Sequence, residues 1–282
     1  MTAMTSVPSA HAFARTVVLT TDLATKLAPA PPELAVDPDP GVPEWLPGPG
    51  RPPGLEPRRG REVSVPPIEG MRDPDQRARI LHAMANHELQ AAELFAWALC
   101  GFADAPRPFR TGLWKILADE QRHARLYFAR AAALGRGAFD CPVTGHFWNH
   151  RDRLATPLGF VCTMGLTFEN ANLDLAPAYA AAARAAGDAA TAAVLDEVAA
   201  DEVDHVRFAA TWLAKLAPGE APLAAYQRVV AFPLGISRAR GVDLDVDARR
   251  RAGLDDEFIA ALTAAVPTRP GGGPRARAPK RS

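Results

Sequence analysis

Two Glu-x-x-His pairs, Glu120/His123 and Glu202/His205, each follow a lone glutamate, Glu88 or Glu169, by 32 and 33 positions respectively. On a helix, residues three apart share a face, so each pair can aim one carboxylate and one imidazole at a common point. A run of about 32 residues, at ~1.5 Å rise per residue, can climb one helix, turn and return, which brings the lone glutamate alongside the pair. That spacing points to two long helical hairpins, and the expected fold class is all-α. With 13 Glu and 7 His among 282 residues, random placement yields fewer than one Glu-x-x-His pair, so two in matched register point to a shared role.

Apolar residues around these positions recur at helical intervals. Leu81, Met84, Ala91, Phe95 and Leu99 form a stripe with Glu88 in its middle, and Leu113, Ile116, Tyr127, Ala131 and Leu134 do the same around Glu120 and His123. Leu158, Cys162, Leu166, Leu173 and Ala176 flank Glu169, while Leu195, Val198, Ala209 and Trp212 flank Glu202 and His205. All six polar groups therefore face a core. An ionised carboxylate in an apolar interior is strongly disfavoured, and four of them require compensating positive charge. No Lys or Arg lies on these stripes, and Arg122, Arg125 and Arg130 fall off the second, which leaves metal cations as the simplest source.

Four carboxylates and two imidazoles match the ligand set of ferritin-like four-helix bundles that hold paired metal ions. An oxygen-rich site with one imidazole per ion suits iron(II) or manganese(II) better than zinc. Asp119 and Asp201 each precede the Glu of a pair, and an aspartate there can accept the second N–H of a metal-bound imidazole on the neighbouring helix. Glu93, about 140° around the helix from Glu88, should face elsewhere, and His87 lies about 100° from it. His82, His146 and His150 read as ordinary polar residues.

The stretches 87–94, 119–123, 166–174 and 201–205 are similar to a bacterial ferritin-like family catalogued as domain of unknown function 455, with Phe168-Glu169-Asn170-Ala171-Asn172 the most specific block. The resemblance covers roughly positions 10–217. It implies a ferritin-like bundle with a di-iron centre and carries Glu88, Glu120, His123, Glu169, Glu202 and His205 over as ligands, with Glu120 and Glu202 as bridges. No single reaction comes with it, because the wider superfamily spans hydroxylases, monooxygenases, peroxidases and manganese catalases.

Proline divides the chain, with 15 of 27 before position 76. Such sequence forms neither long helices nor its own core. Residues 1–75 are thus expected to be a Pro-rich arm, with a short helix near Ala12 to Lys26 and apolar punctuation from Trp45, Leu55 and Ile68 that lets it lie on the bundle. Residues 76–217 form the expected four-helix bundle, 218–266 peripheral helices (Leu223 to Ala231 and Asp247 to Ala265), and 267–282 a disordered basic tail. A long crossover from about Gly135 to Thr156 should join the second and third helices, as ferritin-like topology requires. Asp188 should cap the fourth helix, and Pro177 should bend the third or open a wide turn beyond Glu169.

Thirty-two basic and 32 acidic residues balance to zero, which argues against nucleic acid as partner. No apolar run is long enough to span a membrane, no leader-like start is visible, and Cys100, Cys141 and Cys162 lack metal or disulfide spacing, so the expected compartment is the cytoplasm. The leading expectation is a di-iron protein acting as an O2-dependent oxidase or hydroxylase on a small molecule, with an external reductant and a homodimer as an allowed assembly. Manganese catalase or iron peroxidase chemistry and non-catalytic metal binding or storage are the alternatives.

Overall fold

The structure, a computed structural model, describes residues 9–34, 36–37 and 41–267. Helices α1 (Ala10–Leu19) and α2 (Leu23–Leu27) lead into an irregular stretch with 3-10 turns at Gly60–Glu62 and Ile68–Arg72. Two long helices follow, α3 (Pro74–Gly101) and α4 (Arg107–Ala133). After a crossover with a 3-10 turn at Trp148–Arg153, α5 (Pro157–Phe160) runs through a π-helix (Val161–Glu169) into α6 (Asn170–Ala185). Then come α7 (Ala189–Leu216), α8 (Pro222–Val229), a 3-10 turn (Ile236–Arg238), α9 (Val246–Arg251) and α10 (Asp256–Ala264). The described residues hold no strand, only an isolated bridge between Arg58 and Thr144. None of their helices is long and apolar enough to cross a membrane. The basic tail expected over 267–282 lies, apart from its first residue Pro267, outside the described residues.

Local chemistry sets the helix ends. Asp73 accepts from Gln76 N at 2.8 Å and is followed by Pro74, whose fixed φ suits the first helical position. Gly187, at φ +77, makes the left-handed turn that closes α6. Asp188 then caps α7 through Thr191 N at 2.9 Å. Short connections pack α3 against α4 and α6 against α7, while the crossover joins the two hairpins.

The apolar core falls into two clusters. One contains Phe95, Leu99, Phe109, Phe160, Leu166 and Trp212, the other Leu81, Leu89, Tyr127, Leu195 and Val198. On α4 the change from one cluster to the other falls between Leu117 and Ala124, and on α7 between Val198 and Val203. Those breaks hold Glu120, His123 and Glu202. A polar layer thus separates two apolar layers.

The arm is held by buried charge. Glu93 faces away from Glu88 and is fully buried, where Lys26 Nζ meets it at 3.0 Å and Arg51 at 2.7 Å. Trp148 Nε1 of the crossover donates to the same carboxylate at 2.9 Å. Lys26 also donates to Val17 O and Val18 O, and Arg51 to Asn86 Oδ1. Trp97 Nε1 donates to Leu46 O at 2.9 Å, and the Trp45 ring covers Gly101, where a Cβ would meet it at 2.3 Å. The expected single helix at the start of the arm is two helices, broken by Asp22, which caps α2.

The expected helix over 247–265 is also two, because Gly253 at φ +83 ends α9 and Asp255 caps α10. These C-terminal elements are tied to α6 by a buried pair, Arg249 with Asp174. Arg249 donates further to Asn170 O at 2.7 Å, next to Glu169. The wide turn lies before Glu169 rather than at Pro177: Asn170 N donates to Gly165 O, five residues back, and the Thr167 hydroxyl donates to Cys162 O.

Removing one member of a buried ion cluster leaves the others uncompensated, which typically costs about 3–5 kcal/mol. Glu93→Gln should therefore lower unfolding free energy by about that amount and expose Lys26 and Arg51 to trypsin in limited proteolysis; wild-type stability and digestion would contradict the clamp. Asp188 provides a pH test. Burial opposes its ionisation, yet hydrogen bonds from Thr191 and Arg130 hold its carboxyl down at about 2. With the folded value below the ordinary 3.8, its stabilisation is present above about pH 4 and fades as pH falls through about 2. The difference in thermal midpoint between wild type and Asp188→Asn should be largest near neutral pH and shrink over that acid window, whereas a pH-independent difference would rule the charge contribution out.

Candidate metal centre

Four helical segments each bring one face to the polar layer. Glu88 comes from α3, Glu120 and His123 from α4, Glu169 from the last position of the π-helix, and Glu202 and His205 from α7. All six are buried. Ligand atoms of Glu88, Glu120, His123 and Glu202 lie within 4.8 Å of one another, and so do those of Glu120, Glu169, Glu202 and His205. Glu120 and Glu202 belong to both groups. The π-helix comes close to α7 at Gly165, where a Cβ would stand 2.2 Å from Ala209 Cβ, and this close approach helps to bring Glu169 within reach of Glu202 and His205.

Both aspartates beside the pairs reach across to the other helix. Asp201 on α7 accepts from His123 Nε2 at 3.0 Å, and Asp119 on α4 accepts from His205 Nε2 at 3.3 Å. An imidazole that donates through Nε2 and carries no second proton would direct an Nδ1 lone pair inward. Arg122 lies between the aspartates, donating to Asp119 at 3.0 Å and Asp201 at 2.6 Å. Partial burial works against its charge, but these contacts raise its pKa above the ordinary value. Asn172 donates to Glu202 Oε1 at 2.9 Å, which fixes that carboxylate and leaves Oε2 facing the cluster.

Buried polar atoms are normally satisfied. Here both oxygens of Glu120, one each of Glu169 and Glu202, and Nδ1 of both histidines lack a hydrogen-bond partner. His205 Nδ1 stands 3.2 Å from Glu120 Oε1 and 3.3 Å from Glu202 Oε2 without hydrogen-bond geometry. Such a convergence of unpaired donor atoms is what a cation would satisfy.

The protonation pattern gives the same reading. Burial, reinforced by repulsion from neighbouring carboxylates, pushes the Glu88 and Glu169 carboxyls well above the ordinary value. Burial alone would raise Glu202 too, but the neighbouring imidazoles bring it below. For His205, burial is outweighed by Asp119, Glu120 and Glu202, which raise it well above 6.5. Without a cation the layer reduces its charge by holding protons; with one, those protons are displaced. Tyr127, one turn beyond His123, is buried, and burial with the nearby Glu88, Glu202 and Glu120 holds its phenol far above the usual range.

Glu93, His82 and the three cysteines stand outside both ligand groups. His82 Nε2 bonds to Ala138 O at 2.7 Å, and burial pushes the Cys162 thiol up to about 12. Sequence reasoning missed Arg122 as the link between the aspartates and Asn172 as the anchor of Glu202. Spacing carried both signals, since Arg122 follows Asp119 by three and Asn172 follows Glu169 by three.

Loss of a carboxylate that orients a metal-bound imidazole typically weakens metal binding about 10- to 100-fold. Asp201→Ala and Asp119→Ala should each weaken iron(II) or manganese(II) binding by about that factor in calorimetric titration while all six inward-facing side chains remain in place. Wild-type affinity in both variants would deny the aspartates an orienting part.

The family described as "Protein of unknown function (DUF455)" matches over residues 9–260. That span runs past the expected 10–217 and takes in α8, α9 and part of α10. No curated protein and no solved structure shows a significant match. With the match covering most of its length, the chain belongs to the DUF455 family.

Proposed function

We propose that this chain is a ferritin-like di-metal carboxylate protein that works as an O2-dependent oxidase or hydroxylase on a small organic substrate. The observation that carries the reading is the pair of buried ligand groups that share Glu120 and Glu202. Glu88 and His123 would hold one ion and Glu169 and His205 the other, with Glu120 and Glu202, common to both groups, available to either. Four carboxylates would balance the charge of two divalent cations, which offsets much of the cost of burying them. The donor set, mostly oxygen with one imidazole per ion, favours iron(II) or manganese(II). A bound iron pair would supply O2 activation, and a manganese pair would supply peroxide disproportionation on the same ligands.

The chain's own residues have defined tasks. Asp119 and Asp201 hold the imidazoles with Nδ1 inward, Arg122 keeps the two aspartates in register, and Asn172 prevents Glu202 from turning away. The two apolar layers above and below exclude bulk water, which strengthens every electrostatic contact inside. Cys100, Cys141 and Cys162 form no Cys-x-x-Cys pair, which discounts a rubredoxin-type iron within this sequence, so an oxidase cycle would draw on an external reductant.

Metal analysis of protein purified with and without air tests the reading. Wild type should carry about two ions per chain, and Glu120→Ala, Glu202→Ala or His205→Ala should retain well under half of that, while Glu220→Ala, at an exposed pair with Arg228, should match wild type. Iron-loaded protein with a chemical reductant should consume O2; peroxide breakdown only by the manganese form would replace the oxidase reading with a catalase. Equal metal retention in all variants would remove the site.

A further inference from the structure

Beside the carboxylate layer lies a cluster of half-buried rings that the metal reading leaves unused. His87 and Phe168 directly precede Glu88 and Glu169, and the crossover adds His146, Phe147 and His150. Phe147 stacks on His87 at 5.2 Å and on Phe168 at 4.6 Å. The rings of His146 and His150 stand 5.6 and 5.8 Å from Phe168. Phe147 N donates to Gln90 Oε1 at 3.0 Å, which fixes this part of the crossover on α3.

Arg238 enters the cluster from the 3-10 turn that packs on the π-helix. Its guanidinium donates to His146 Nε2 at 3.2 Å. The buried Arg51, Arg77 and Arg249 each meet a carboxylate, namely Glu93, Asp188 and Asp174. Arg238 meets none among the described residues, and burial alone acts to lower its pKa. Around His146 and His150 the titratable neighbours are likewise basic: Arg153 and Arg238, and His87, which burial pushes down to about 4 and so leaves uncharged at neutral pH. Burial pushes His146 down to about 3, so at neutral pH it is an uncharged acceptor and Arg238 supplies the positive charge. A guanidinium partly withdrawn from water without an anion is unfavourable, and its planar fork matches a carboxylate. The same three imidazoles do not form a further metal-ligating group.

We propose that Arg238 binds the carboxylate of an organic acid whose apolar body lies against Phe147, Phe168 and His87, on the Glu88/Glu169 side of the metal layer. Calling this acid the substrate rests on the di-metal reading; the binding itself does not. Neighbouring rings exclude water from the ion pair and favour a planar, aromatic or unsaturated body over a purely aliphatic one.

The test is calorimetric titration of metal-free and metal-loaded protein with benzoate, benzamide and inorganic phosphate. Benzoate should bind both forms at least about tenfold more tightly than benzamide, and Arg238→Gln should remove that preference while bound metal and helical content stay at wild-type levels. Arg238→Lys keeps the charge and loses the fork, so it should bind benzoate with intermediate affinity, and it carries the test if the glutamine variant fails to fold. Benzoate binding no tighter than benzamide, unchanged affinity in the variants, or phosphate binding without benzoate binding would each overturn the proposal. A lost metal site with benzoate binding intact would sink the di-metal reading alone.

Discussion

Burying four carboxyl groups in one layer of an apolar core is the constraint on which the rest of this structure depends. Ionised and unpaired, such groups are expelled by water's stronger solvation or forced to take up protons. The chain instead surrounds them with two imidazoles, orients those imidazoles with two aspartates and ties the aspartates together with Arg122. Every one of these contacts crosses between α4 and α7 or supports one that does. The hairpins are therefore joined at the site as well as by their apolar faces.

Buried charge is also how the segments outside the long helices are placed. Glu93 gathers Lys26 and Arg51 from the arm and Trp148 from the crossover. Asp188 collects Arg77 and Arg130 at the head of α7. Asp174 holds Arg249 and the backbone of Gly241 and Asp245. Breaking such pairs is costly, and their geometry is directional, so they select one docking of irregular chain where apolar contact alone would allow several. Arg238 lies half-buried against His146 in the ring cluster, with no carboxylate among the described residues, and this setting is the basis for proposing it as a ligand-binding group.

The long helices, their inward faces and the convergence of Glu88, Glu120, His123, Glu169, Glu202 and His205 were legible because period and spacing are local properties of sequence. The N-cap at Asp188 was legible for the same reason. What escaped depends on partners distant in sequence. Glu93 could be placed off the Glu88 face from angle alone, but its burial needs Lys26 and Arg51, 67 and 42 positions away. The π-helix ending at Glu169 was not readable, since no residue type marks a five-residue hydrogen bond; Pro177, the evident breaker, sits inside α6. Gly253 did carry a readable signal that α9 and α10 are separate, and periodicity over 247–265 masked it.

Anomalous diffraction from crystals grown with iron(II) or manganese(II) would locate any ion held by the carboxylate layer. Two peaks are expected, each within bonding distance of an oxygen of Glu120 and of Glu202, one beside His123 Nδ1 and the other beside His205 Nδ1. A metal bound elsewhere, or a carboxylate layer that stays metal-free under these conditions, would contradict the di-metal reading.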